Sequence, residues 1–527
     1  MKRILAAIVF ICVFLFYWNA GIANHTEADD AFEYAYMVET SHHAWLYHPH
    51  HLLYGAVTKS VYTVVQTLGY GGGAYSFLVF ISALSAAGAL FLFYRFCYQR
   101  YSMRPVSSLF ATGFLALSYG FWRYACEAEV ILPAGFLVLW AVYLATAPEP
   151  RKRQVVGAAL VSGMSVLFHV MNGVPVFIAI PLFYLLQRRF RFAFLHSAIA
   201  GSLVLLAYLL VFFFKSDQLF THALPALGDR LDGSMIPKGL VGFGQCLVSG
   251  NFLFSFSAFS DWLTRLFPAR MLMEELYMGS HISRFHQVAP VLSLAALLAT
   301  GWLGLVKAIG SWRKERSNEH ANSLVVVGGW QTIAIVGLWF FIYAGAVLLL
   351  EPGNPEVWVL GLLPFWLLVC GLFIAPIARA NELWIVLLMV VFLGLHNFVG
   401  GIGILRHAET DYNIQKAAWV LENLDEDHTL ITAGNPVFVR YLNYHSKARV
   451  VDLNQHPLDA LPDLLAGSAA VYLLNDVFDY PASMKVRFPS QAKTVGKAGR
   501  LLRPQVVQVA ENEFGGVWKY VPPAPIQ

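Results

Sequence analysis

The chain has 527 residues, of which 57% are hydrophobic and 13% charged, about half the charged share of an ordinary soluble domain. That excludes a cytosolic enzyme and a disordered chain. A net charge of +4, from 36 Lys+Arg against 32 Asp+Glu, is too small an excess for a nucleic-acid partner.

A helix crossing roughly 30 Å of hydrocarbon needs about 20 mostly apolar residues. Eleven transmembrane helices are predicted on that basis, over 4–22, 74–96, 106–121, 130–146, 155–170, 174–187, 193–214, 288–309, 324–350, 357–376 and 382–400. The first reads as an uncleaved signal anchor, since its apolar run is long and Ala20 and Ala23 make a poor cleavage site. Basic residues collect in alternate loops: Lys2/Arg3, Arg95/Arg100/Arg104, Arg151/Lys152/Arg153, Arg188/Arg189/Arg191, Lys307/Arg313/Lys314/Arg316 and Arg379. The opposing short loops hold only Arg123. Because cytoplasmic loops attract Lys and Arg, the amino terminus is expected inside and the carboxyl terminus outside. The five cysteines show no Cys-x-x-Cys pair and form no disulfide framework.

Three outer regions stand out. Residues 23–73 are polar and then amphipathic, with Leu52–Leu68 expected as a helix lying in the interface. Residues 215–287 are long and rich in Gly, Phe and Ser. Residues 406–527 have the composition of a soluble domain, set against a transmembrane domain over 1–405. Apolar β-branched runs predict strands at Thr429–Thr432, Arg449–Leu453, Ala469–Leu474, Gln505–Val509 and Val517–Val521. Gly434-Asn435-Pro436 offers a turn, a helix N-cap and a first-turn proline. The fold class is thus a polytopic all-α membrane protein with a small C-terminal α/β extracytoplasmic domain. That domain has no glycine-rich phosphate loop, so a lid or recognition role fits it better than nucleotide binding.

Five regions carry possible chemistry or frame it. The first outer loop reads Glu27-Ala28-Asp29-Asp30-Ala31-Phe32-Glu33. Asp30 and Glu33 are three apart, so a helix starting here puts them on one face. A carboxylate there can take a proton from an acceptor hydroxyl, or the stretch is a solvated acidic loop. His48-Pro49-His50-His51 follows. Its spacing matches no standard metal site, which leaves hydrogen bonding to a phosphate or sugar, or a plain interfacial loop. Phe121-Trp122-Arg123-Tyr124-Ala125-Cys126-Glu127-Ala128-Glu129-Val130 places one basic residue beside Glu127 and Glu129. Arg123 is either a phosphate ligand or half of an ion pair closing a helix hairpin. Lys238, Arg270 and Arg284 of the long outer loop are further phosphate candidates or charges near lipid headgroups. Lastly, Glu351-Pro352-Gly353-Asn354-Pro355 makes a rigid turn before Trp358, which suits the interfacial aromatic belt.

Three of these stretches give a resemblance to the GT-C membrane glycosyltransferases, especially the protein O-mannosyltransferase-like branch. Asp30-Ala31-Phe32-Glu33 keeps that family's Asp-x-x-Glu spacing. His48-Pro49 with Leu53-Tyr54 keeps the ends of its His-Pro-Pro-Gly-Tyr-Pro-Leu-Tyr element, and Phe121-Trp122 with Glu129-Val130 its Phe-Trp and Glu-Val pairs. His50-His51 replace Pro-Gly, and no glycine precedes Asp30. Lipid-linked sugar transferases of the superfamily carry Asp-Glu-Ala in this loop, and Asp29-Asp30-Ala31 fits that register as well. The resemblance implies a sugar donor on a polyprenyl or dolichyl phosphate and an acceptor hydroxyl on a protein, lipid or glycan. It implies an inverting attack with Asp30 or Asp29 as base. Glu33 and His48 would support it, while Arg123, with His50, Glu127 and Glu129 nearby, would bind the leaving phosphate. No metal or other cofactor is favoured, and the expected location is the bacterial inner membrane. A transporter or lipid flippase is the competing class, but it usually shows midmembrane charges and internal repeats. A scaffold built on the tail domain leaves the first-loop acids unexplained.

Overall fold

The computed structural model describes residues 2–28, 30–40, 46–214, 234–268, 272–317, 326–379, 382–424, 428–446, 448–455, 461–466, 470–487 and 489–522. They form two compact units. The first comprises Met1–Gly21, Met37–Phe252 and Ser283–Ile404, and the second Ile22–Tyr36, Leu253–Ile282 and Leu405–Gln527.

Among the described residues, six helices are long and apolar enough to cross a membrane: Ala74–Arg100, Phe190–Phe213, Arg284–Arg313, Trp330–Leu350, Pro355–Ala378 and Leu383–Leu405. The chain is an integral membrane protein. Shorter apolar stretches lie at Lys2–Trp18, Pro105–Leu117, Ile131–Ala145, Lys152–Phe168 and Val170–Leu186. Small residues let these helices approach closely. A β-carbon on Gly163 of Lys152–Phe168 would lie 2.7 Å from Leu203 of the helix Phe190–Phe214. In Tyr54–Thr67, the helix expected in the interface, Tyr54, Gly55, Thr58 and Tyr62 are buried, while Val61, Val64 and, just past its end, Leu68 are exposed.

Two expectations for this unit are corrected. The sequence predicts one helix over 106–121, but Ser118 takes extended backbone and divides Pro105–Leu117 from the short helix Tyr119–Ala125. The break is stable because its polar groups find partners where water is scarce. Ser118 Oγ donates to the Phe114 carbonyl at 2.7 Å and accepts from Trp366 Nε1 at 2.8 Å, while Asn397 Nδ2 donates to the Leu117 carbonyl at 2.7 Å. The second correction concerns Trp358, expected in the aromatic belt but only 3% exposed. The turn before it folds back, so that Trp358 Nε1 donates to the Pro352 carbonyl at 2.9 Å and its ring packs on Phe243.

The second unit is built on a five-stranded sheet in the order β2-β1-β3-β5-β4. The strands are β1 (Thr429–Thr432), β2 (Arg449–Asp452), β3 (Val471–Leu474), β4 (Val506–Asn512) and β5 (Gly515–Tyr520), close to the predicted runs. β2, β1 and β3 are parallel, and the hairpin β4–β5 adds antiparallel strands beside β3. Side chains alternate between faces along each strand. Ile431, Val451 and Leu473 therefore join one apolar core, and Leu430, Tyr472, Leu474 and Val517 join the other. Asn435 caps the helix Pro436–His445 by accepting from the Val437 amide at 3.0 Å, with Pro436 in the first turn, as the sequence predicts.

At the carboxyl ends of β1 and β3, where doubly wound sheets usually open a ligand crevice, the Asp476 carboxylate turns inward. It accepts from Thr432 Oγ1 at 2.9 Å and the Ala433 amide at 3.0 Å. A β-carbon on Gly434 would collide with that carboxylate, so any other residue there requires the Asp476 side chain to move. The other two stretches of the unit are hydrogen-bonded to the third. Glu274, on the helix Met273–Ser280, accepts from Asn413 Nδ2 at 3.0 Å and from Asn435 Nδ2. In the first loop the Ala23 and Asn24 amides donate to the Leu405 carbonyl, each at 2.9 Å. Asn24 Nδ2 also donates to Thr410 Oγ1 at 2.8 Å, and the His25 amide donates to Asp411 at 2.6 Å.

Candidate active site

The helix Ala31–Thr40 begins directly after Asp30, whose carbonyl accepts from the Tyr34 amide at 2.9 Å. Glu33 lies in the first turn, where the helix dipole favours a carboxylate. Asp30 and Glu33 do share a face, and one guanidinium meets both. Arg440 Nη1 lies 2.5 Å from Asp30 Oδ1, and Arg440 Nε lies 2.6 Å from Glu33 Oε2. All three side chains are partly enclosed, with exposures of 33% for Asp30, 18% for Glu33 and 27% for Arg440. Phe32, between the two acids, is buried against His25 and the rings of Tyr441, Tyr444 and His445. The Asp-x-x-Glu element is thus seated twice on the helix Pro436–His445, once by charge and once by aromatic packing.

Burial pushes the Glu33 carboxyl up; the Arg440 charge opposes this and the Asp30 charge adds to it. Sequence reasoning missed Arg440. It is the only Lys or Arg of its helix, but nothing in the sequence pairs it with a loop some 400 residues earlier.

Several expected residues lie in the first unit. Arg123, on the short helix after Ser118, is 0% exposed and pairs with Glu127 at 2.5 Å; Glu127 also accepts from Tyr75 at 2.6 Å. Of the two readings of Arg123, the enclosed ion pair is the one its surroundings display. Glu129 is 1% exposed, and its charge, after burial, helps push the Tyr54 phenol up. His48 Nδ1 accepts from the His50 amide at 3.3 Å, and the His48 and His51 rings stack at 4.4 Å. Tyr208 fastens this turn by donating to the Pro49 carbonyl at 2.6 Å. Lys238 is half-buried, and Arg284 is exposed at the start of its helix. Asp29 and Arg270 lie outside the described residues. No group of three His, Cys, Asp or Glu side chains that could hold a metal ion is found among the described residues.

Among the solved structures that match, two do so over nearly the full length. The first is ArnT from Cupriavidus metallidurans in the apo state, with 13% identity, TM-score 0.51 and 98% of each chain covered. The second is the same protein bound to undecaprenyl phosphate, with 13% identity, TM-score 0.50 and 99% of each chain covered. The fold is that of ArnT. No family model and no curated protein matches the sequence. At 13% identity the likeness to ArnT is one of architecture, and the chemistry rests on this chain's own residues.

Proposed function

We propose that this protein is a membrane glycosyltransferase that moves a sugar from a polyprenyl-phosphate donor to an acceptor hydroxyl on the extracytoplasmic face. The Asp30–Glu33–Arg440 constellation, in the first loop of an ArnT-like fold, carries the reading. Asp30 takes the acceptor proton as the hydroxyl oxygen attacks the anomeric carbon. The bond from that carbon to the phosphate oxygen breaks, the configuration inverts, and polyprenyl phosphate leaves. Glu33 and Arg440 fix the orientation of Asp30. His48, His50, Lys238 and Arg284 are the proposed contacts to donor phosphate or sugar. Arg123, Glu127 and Glu129 support the fold around them. The ArnT structure bound to undecaprenyl phosphate supports a polyprenyl carrier. Acceptors of the protein, lipid or glycan class all fit, and the Asp-x-x-Glu spacing favours the protein O-mannosyltransferase-like branch.

Eleven crossings follow if the five shorter apolar stretches span along with the six long helices. The Lys and Arg loops then place the amino terminus in the cytoplasm of a bacterial inner membrane and residues 406–527 outside. The test is transfer of radiolabelled sugar from undecaprenyl phosphate in proteoliposomes, with released polyprenyl phosphate and glycosidic product counted together. Movement of the lipid-linked sugar across the bilayer without any glycosidic product makes the protein a flippase and overturns the proposal.

Arg440 gives a separate expectation. Its ion pairs are partly exposed, so Arg440→Gln should change stability by no more than about 1 kcal/mol. Turnover should fall ten- to a hundredfold, because the two carboxylates lose their shared anchor. Since Arg440 lowers the Glu33 pKa, its removal should move the Glu33 titration to higher pH in the rate profile. Arg440→Lys keeps the charge but loses the fork, and should recover only part of the rate.

A further inference from the structure

Far in sequence from the first-loop acids, the first unit contains a basic cavity of about 420 Å³ at the helix ends that carry the Lys and Arg loops. It lies between the last turn of Ala74–Arg100, the end of Ile131–Ala145 and the start of Lys152–Phe168. Arg95, Arg100, Arg151 and Arg153 line it, with Glu149 as the one acid among its lining residues. Two of these arginines are held in place. Arg100 donates to the Tyr143 carbonyl at 2.9 Å and its guanidinium lies 4.8 Å from the Tyr143 ring centroid. Arg95 lies 5.4 Å from the same centroid, and the Tyr143 hydroxyl donates to Gln99 Oε1 at 2.6 Å. Orientation by positive loops accounts for the number of charges but not for a concave, half-open space with two guanidiniums fixed on one ring.

An apolar groove of about 160 Å³ lies around the same helix Ala74–Arg100, lined by Val13, Leu90, Phe91, Val106 and Leu109. Phe91 connects the two features: it lines the groove, and its ring centroid lies 5.9 Å from the Arg95 guanidinium that lines the cavity. Positive charge at the bilayer edge beside an apolar channel is complementary to a phospholipid with an anionic head. We propose that the cavity binds the phosphodiester headgroup of an anionic phospholipid, with an acyl chain in the groove past Phe91. Arg95, Arg151 and Arg153 supply the charge, and the Tyr143–Arg100 contact supplies a rigid floor. The site is independent of the glycosyl-transfer reading.

Native mass spectrometry and thermal melts of the full chain test it, with phosphatidylglycerol, phosphatidylcholine and inorganic phosphate as probes. Wild type should retain phosphatidylglycerol at least fivefold better than phosphatidylcholine and gain melting temperature from it, with inorganic phosphate giving no gain. The triple variant Arg95→Gln, Arg151→Gln, Arg153→Gln should lose that preference. Leu109→Trp, which fills the groove without changing charge, should weaken phosphatidylglycerol retention at an unaltered melting temperature in lipid-free detergent. Equal retention of both lipids by wild type, or an unchanged preference in both variants, overturns the proposal. So does equal stabilisation by inorganic phosphate, which would make the cavity a site for a soluble anion.

Discussion

Asp30→Asn should abolish measurable sugar transfer while leaving the protein folded and inserted. A positioned general base contributes about 10²–10⁴-fold in rate, so the loss expected on that account is of that order. The amide keeps the shape of the side chain and still offers an oxygen to Arg440, so the helix start and the Phe32 packing survive. With the Asp30 side chain a third exposed, its charge contributes little to stability. Asp29→Asn is the comparison, because the two family registers divide on these neighbouring acids, and it should retain most of the activity. The measurement is initial rate of transfer from a polyprenyl-phosphate sugar, with melting temperature in parallel. Full activity in both variants, each normally folded, would remove the first-loop base from the mechanism. Inactivity of Asp29→Asn alone would move the base by one residue.

Arg123→Met should be the most damaging single change to the fold. Both partners of the Arg123–Glu127 pair are 0% exposed, and deleting Arg123 removes the guanidinium counter-charge from an enclosed carboxylate. Breaking such a pair costs about 3–5 kcal/mol, whereas replacing both charges by apolar groups of similar volume is often neutral. The double variant Arg123→Met, Glu127→Met should therefore recover most of the stability lost in Arg123→Met. Unfolding followed by melting or by loss of monodisperse protein checks both halves. A double variant as unstable as the single would mean that the pair is not the source of the loss. If the double variant folds and still transfers sugar, Arg123 is a support of the helix after Ser118 and not a phosphate ligand.

Much of the architecture was legible because hydrophobicity writes it directly. The long spans and the strands of the tail fall close to the predicted places, since a bilayer demands long apolar runs and a two-faced sheet demands short β-branched ones. The break at Ser118 was not legible. Its carbonyl and hydroxyl partners, Asn397 and Trp366, are separated from it by about 250 residues or more, and an isolated serine in an apolar run gives no sign of them. Trp358 misled for a similar reason: an aromatic beside a Pro-Gly turn suits an interface, and only the folded-back Pro352 carbonyl shows why it is buried. In the site, the face shared by Asp30 and Glu33 followed from helical spacing alone. Arg440 did not, because the contact is tertiary and the sequence carries no periodicity linking the first loop to the tail. The same holds for Glu274, an ordinary acid of an outer loop until Asn413 and Asn435 are seen to bind it.

The second unit draws on three stretches, at Ile22–Tyr36, Leu253–Ile282 and Leu405–Gln527, and this has a consequence for biosynthesis. A ribosome delivers Asp30 and Glu33 early and Arg440 some 400 residues later, after the intervening spans have been inserted. Until then the acids are without their guanidinium and Phe32 without its aromatic seat, and closing so long a loop is a slow, late event in folding. A nascent chain accordingly lacks the Asp30–Glu33–Arg440 constellation through most of its synthesis. On the proposed reading, the first loop becomes competent only after the helix Pro436–His445 has emerged and docked its guanidinium between the two acids.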